Sequence, residues 1–118
     1  MDLKLHIYNE LDDVVKTYTR NTYSIRMRQL KAIIETLNID GMASILEENT
    51  KNIDLVKYVS KLMTSAYDEI QELIKDIFPE LTDEEYMDTH LEEVVKVLVD
   101  LVKHTVKTIG LADKKSKN

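Results

Sequence analysis

Apolar and polar residues alternate at the start of the chain. In "LKLHIYN" Leu3, Leu5 and Ile7 fall on one face, and Lys4, His6 and Tyr8 on the other. "VVKTYTR" is β-branched and aromatic, and "ELDD" between the two runs has turn composition. The pattern predicts a β-hairpin over residues 3–8 and 14–20. A two-stranded hairpin is marginal in water, so it has to lie on the helices C-terminal to it. From Ser24, a residue suited to cap a helix, Ile25, Met27, Leu30, Ile33, Ile34 and Leu37 recur near helical spacing, and "NIDG" supplies a stop at Gly41. "MASILEE" reads as a short helix and "NTKN" as a connection. From Ile53 to Ile77 a 3.6-residue stripe continues over some seven turns, until Pro79 closes it.

The last third joins two unlike patterns. Seven carboxylates lie between Glu80 and Glu93, and a valine-rich run comes after them. Thr82 with Glu85, and Thr89 with Glu92, have capping-box spacing, and acids in a first turn meet the positive end of the helix dipole. Leu91, Val94, Val95, Leu98, Leu101, Val102, Thr105, Val106 and Ile109 make an ordinary core stripe. Val97 and Val99 widen the apolar arc beyond it. Two readings are open. The helix is either central, packed on two sides within its own domain, or it offers a partner or a second copy a surface built on Val95, Val97, Val99 and Val106. The expected fold is therefore α+β, predominantly α, with an N-terminal β-hairpin and about four helices. Residues 1–110 form one domain, and "LADKKSKN" at 111–118 reads as a disordered basic tail.

Composition narrows the chemistry. With 118 residues and no cysteine, a modest aliphatic core is possible, while disulfides, thiolate catalysis and Cys-ligated zinc are excluded. The N-terminus lacks the basic region of a signal peptide, and no apolar run reaches a membrane-spanning length. The net charge of −6 argues against general nucleic-acid binding. Arg20, Arg26, Arg28 and Lys31 form a local basic cluster, read as a solvated face in preference to a phosphate or acidic-partner patch. His6, His90 and His104 are scattered, and no phosphate-binding glycine motif exists. Glu69-x-x-Glu72 and Glu85-x-x-Asp88 resemble the paired acids with which all-α nucleotide pyrophosphohydrolases hold magnesium. That enzyme reading is the alternative, beside a small helical adaptor or regulator. Capping already accounts for the second pair, and phosphate-holding basic residues are missing beside it.

The order of features over residues 3–110 resembles the small tail assembly chaperones of long-tailed bacteriophages infecting Gram-positive bacteria. The most specific segment is "IFPELTDEEYMDTHLEEVVKVLVDLV". It is similar to the family's Phe/Tyr-Pro-x-Leu-Thr-x-x-Glu turn leading into a last, apolar helix. The resemblance implies a non-enzymatic protein without cofactor or metal, present in the host cell cytoplasm and absent from the mature virion. It implies the tape measure protein as client while tail tube subunits polymerise, with possible homo-oligomers. It further implies a frameshifted longer form that recruits the major tail protein, for which Lys114-Lys115 would suit an A-rich slippery site. The basic cluster at residues 20–31 has no counterpart in the family's pattern.

Overall fold

The computed structural model describes residues 2–39 and 52–117. The opening alternation forms strand β1 (Asp2–Tyr8), with Leu3, Leu5 and Ile7 buried and Lys4 exposed. Strand β2 (Val14–Asn21) returns antiparallel, with Leu3 opposite Arg20, Leu5 opposite Tyr18 and Ile7 opposite Lys16. The register slips at Tyr8, which faces Val14, so Val15 is the extra residue of a bulge. In the connecting turn the Asn9 side-chain oxygen accepts the N–H groups of Leu11 and Asp13, both at 2.9 Å. Asp12 takes a left-handed conformation there, with φ 64°. Of β2 only Tyr18 is buried, so the hairpin lies on the core mainly through β1.

Helix α1 (Met27–Thr36) begins after a 3-10 turn at Thr22–Ser24. Ser24, expected to cap it, does not. Its hydroxyl donates to the Asn21 carbonyl at 2.7 Å, because Asn21 opens the intervening turn by accepting the Tyr23 N–H. The Gln29 side-chain oxygen takes over at the start of α1, accepting the Arg26 N–H at 2.9 Å. Gln29 is itself buried, and its amide donates to the Asp76 carbonyl at 2.9 Å. One side chain thus starts α1 and ties it to a helix 47 positions away. The Gly41 stop, "MASILEE" and "NTKN" lie outside the described residues.

The stripe from Ile53 to Ile77 is not one helix but two, α2 (Asn52–Ser65) and α3 (Tyr67–Ile77), broken at Ala66. The hydroxyls of Thr64 and Ser65 both donate back to the Lys61 carbonyl, at 2.8 and 3.2 Å. Such bonds compete with the helical ladder and bend it. The break lets α2 pack on the last helix while α3 packs on α1. After Phe78 and Pro79 the expected capping box forms at Thr82. The Thr82 hydroxyl accepts the Glu85 N–H at 3.1 Å, and a Glu85 carboxylate oxygen accepts the Thr82 N–H at 3.0 Å. This starts α4 (Asp83–Met87). The second expected box does not form. Thr89 donates its hydroxyl to the Tyr86 carbonyl at 2.7 Å, and α5 (Leu91–Lys117) begins only after His90.

α5 continues through Gly110 into the segment expected to be a tail; one glycine in a helix costs only about 1 kcal/mol, and Leu, Ala and Lys around it are helix formers. Its middle is buried almost all round. Val94, Val95, Val97, Leu98, Val99, Leu101, Val102 and Thr105 are all buried, while Lys96 reaches solvent. β1 packs on the helix, as do α1 and α2. The central-helix reading is therefore the one realised. Val95, Val97 and Val99 are core residues, and Val106 is half-buried against the core, so this row is not an open partner surface. The reason is geometric: a helix sandwiched between a hairpin and two helices needs apolar residues on most of its circumference.

Candidate functional site: an acid-rimmed groove and two carboxylate anchors

A depression of about 640 Å³ lies between α1 and α3. Ala32 and Thr36 contribute from α1, and Asp68, Glu69, Glu72, Leu73, Lys75 and Asp76 from α3. The helical spacing that buries Ile70, Leu73, Ile74 and Ile77 in the core sets the acids along the rim. Asp68 and Glu69 occupy the first turn of α3, where the helix dipole favours negative charge. Lys75 offsets only part of the charge of these four acids. Its ammonium lies 2.7 Å from an Asp83 oxygen and 3.9 Å from Glu72, and the hydrogen bond to Asp83 pushes its pKa up. The same bond holds the Asp83 carboxyl below its ordinary value. The groove therefore has an apolar floor at Leu73 and Ala32 and a negative border.

The two acid pairs singled out in the sequence are not combined into one centre. Glu69 and Glu72 line the groove, whereas Glu85 is an anchor of the fold. It accepts the Tyr18 hydroxyl at 2.7 Å and the Thr82 N–H at 3.0 Å, and it lies 3.2 Å from the Lys16 ammonium. Hydrogen bonding from Tyr18 first, then from the Thr82 backbone, lowers its pKa to about 2. Lys16 also sits 4.9 Å from the centre of the Tyr18 ring. This constellation holds β2 against the Pro79–Thr82 turn. Among the described residues no three His, Asp or Glu side chains converge as a metal site.

A second carboxylate anchors β1. Glu93 accepts the His6 backbone N–H at 3.2 Å, lies 2.5 Å from His6 Nδ1, and accepts the Tyr8 hydroxyl. Burial works to raise the Glu93 pKa, but the bonds from Tyr8 and His6 outweigh it and hold the group below its ordinary value. The bond to Glu93 pushes the Tyr8 phenol up to about 12. The Tyr8 ring stacks on His90 with centroids 3.6 Å apart and planes 9° apart, and His90 Nε2 lies 2.6 Å from Asp12. The Tyr8 N–H donates to the Asp88 carbonyl at 3.0 Å. His6 and His90, far apart in the sequence, thus converge at one hairpin–helix junction, which His104 does not join. The partners are 87 positions apart, and no local spacing announces them.

Comparison with protein-family models, with curated proteins and with solved structures returns no match. Among the described residues no helix is long and apolar enough to cross a membrane.

Proposed function

We propose that the chain is a non-enzymatic tail assembly chaperone of a long-tailed bacteriophage, which holds the tape measure protein in the infected cell while tube subunits polymerise. Two things support the reading: the resemblance over residues 3–110, and a groove suited to an amphipathic helix. The observation that carries it is the α1–α3 groove, where Asp68, Glu69, Glu72 and Asp76 border an apolar floor. A long helical client with basic residues flanking its apolar stripe would find complementary charge there and could leave again. Glu85, the acid a magnesium enzyme would need from the second pair, is taken up by Tyr18, Lys16 and Thr82. This weakens the pyrophosphohydrolase alternative.

The test is co-expression of the tagged chain with overlapping tape measure fragments. At least one fragment should co-purify and stay soluble only with the chaperone. Glu69→Lys with Glu72→Lys, on an exposed rim, should weaken capture by about tenfold or more while leaving the melting curve intact. The idea is lost if no fragment is held, or if reversing both charges changes nothing.

A further inference from the structure

The two edges of the hairpin are treated differently. β1's outer edge is covered, since the His6 N–H is taken by Glu93 and the Tyr8 N–H by the Asp88 carbonyl. These two bonds also settle which way each peptide faces. Even-numbered residues of β1 turn their N–H groups away from β2, so Leu3, Leu5 and Ile7 bond to Arg20, Tyr18 and Lys16. His6 stands opposite Thr17, and Lys4 opposite Thr19. The backbone groups of Thr17 and Thr19 therefore point outward, along the free side of β2. Among the described residues no backbone hydrogen bond from another element reaches them. Residues 14–17 and 19 are exposed, and the strand carries no proline to discourage pairing.

What surrounds this edge is asymmetric in a self-complementary way. At the turn end lie exposed Leu11 (81%), Val14 and Val15, with the acids Glu10 and Asp13. At the opposite end lie exposed Tyr23 (88%) and Met27, with Arg26 and Arg28. None of these four charged side chains takes part in the ion pairs found among the described residues. An antiparallel two-fold brings the acidic, apolar end of one copy beside the basic, apolar end of the other. Register selects one arrangement. Centring the axis on Tyr18 would set Lys16 directly against Arg20, a like-charge pair. Centring it on Thr17 sets Thr17 against Thr17, Thr19 against Val15 and Lys16 against Tyr18, with no like charges opposed.

We propose that the outer edge of β2 pairs with the same edge of a second copy about a two-fold axis at Thr17, giving a continuous four-stranded antiparallel sheet. The interface is isologous, so each contact occurs twice. It uses the basic residues at 20–28, for which the tail-assembly reading has no role, and it needs no client.

Sedimentation equilibrium of the full chain across the micromolar range should show a concentration-dependent dimer. Thr17→Pro removes an N–H that the hairpin itself does not use, a position where an edge strand tolerates proline. Two central hydrogen bonds vanish at once, so dimerisation should weaken by about tenfold or more, with Thr17→Val as a control that retains it. Glu10→Lys with Asp13→Lys should weaken self-association, as should Arg26→Glu with Arg28→Glu, and mixing the two variants should restore a heterodimer. If circular dichroism shows that Thr17→Pro does not fold, the charge variants decide alone. A wild-type chain that stays monomeric overturns the proposal. So does a folded Thr17→Pro that dimerises normally, or a pair of charge variants that do not re-associate on mixing.

Discussion

Replacing Val95 and Val99 together by serine tests whether α5 is the core of the domain. Val95 is 8% and Val99 6% exposed, so nearly all of each side chain is removed from water. Burying a valine contributes about 1.5–3 kcal/mol, so deleting two apolar side chains removes roughly 3–6 kcal/mol. Serine hydroxyls in a helix can bond to the preceding turn, which limits the further cost of burying them. Domains of this size have a total stability on the order of 5–15 kcal/mol. The unfolding entropy of 118 residues is about 0.25 kcal/mol per kelvin, so the midpoint should fall by roughly 12–24 °C. Thermal melts by circular dichroism, with urea titrations to check an unchanged m-value, measure this directly. Lys96→Ser on the same turn is the control. Its side chain is 75% exposed, but it pairs with Asp100, only 16% exposed, so the change should cost about 1–2 kcal/mol, still short of the valine pair. A double serine variant that melts within a few degrees of wild type refutes the central-helix account and returns the valines to the surface.

Two further outcomes are expected. Glu85 has a folded-state pKa of about 2 against 4.5 for the free group, so its contribution is present above the unfolded value and lost as the pH falls from 4.5 toward 2. Glu85→Gln should therefore lower stability at neutral pH and flatten the acid limb of a stability–pH curve; an unchanged acid limb would assign it to other carboxylates. Leu5→Asp should destabilise by about 3–5 kcal/mol, because an unpaired charge enters the shared core, while Lys4→Asp on the exposed face is nearly silent, and equal effects in chemical denaturation would contradict the docked hairpin.

The features legible in the sequence are local, and those that escape it are relational. Period-two alternation at Leu3, Leu5 and Ile7 predicts the strand and its buried face, because the pleat alone decides which side chains share a side. Thr82 and Glu85 are three positions apart, and that spacing is the capping geometry itself. Ser24 and Thr89 have equally good cap chemistry, but neighbouring turns claim their hydroxyls first, at Asn21 and Tyr86. The break at Ala66 leaves the apolar stripe intact on both sides, so periodicity cannot register it. The valines are ambiguous for a different reason. A helix buried on several sides and a helix awaiting a partner show the same wide apolar arc, and only the placement of β1, α1 and α2 separates them. The groove is half legible: its acids stand out as Glu69-x-x-Glu72, but their opposite wall, Ala32 and Thr36, comes from another helix.

The junction of β1 with α5 also dictates when the chain can mature during synthesis. Glu93, Asp88 and much of the apolar bed for Leu3, Leu5 and Ile7 are made some eighty positions after the strand itself. Until then the emerging hairpin has no floor, and its inward face stays wet. Closing so long a loop is entropically slow, since non-local contacts are rewarded only after the intervening chain has been restrained. The helices between can nucleate earlier, because their bonds are local. The hairpin, made before the helix it lies on, is therefore among the last parts to settle, and its three aliphatic residues are the ones a nascent chain must keep from premature pairing.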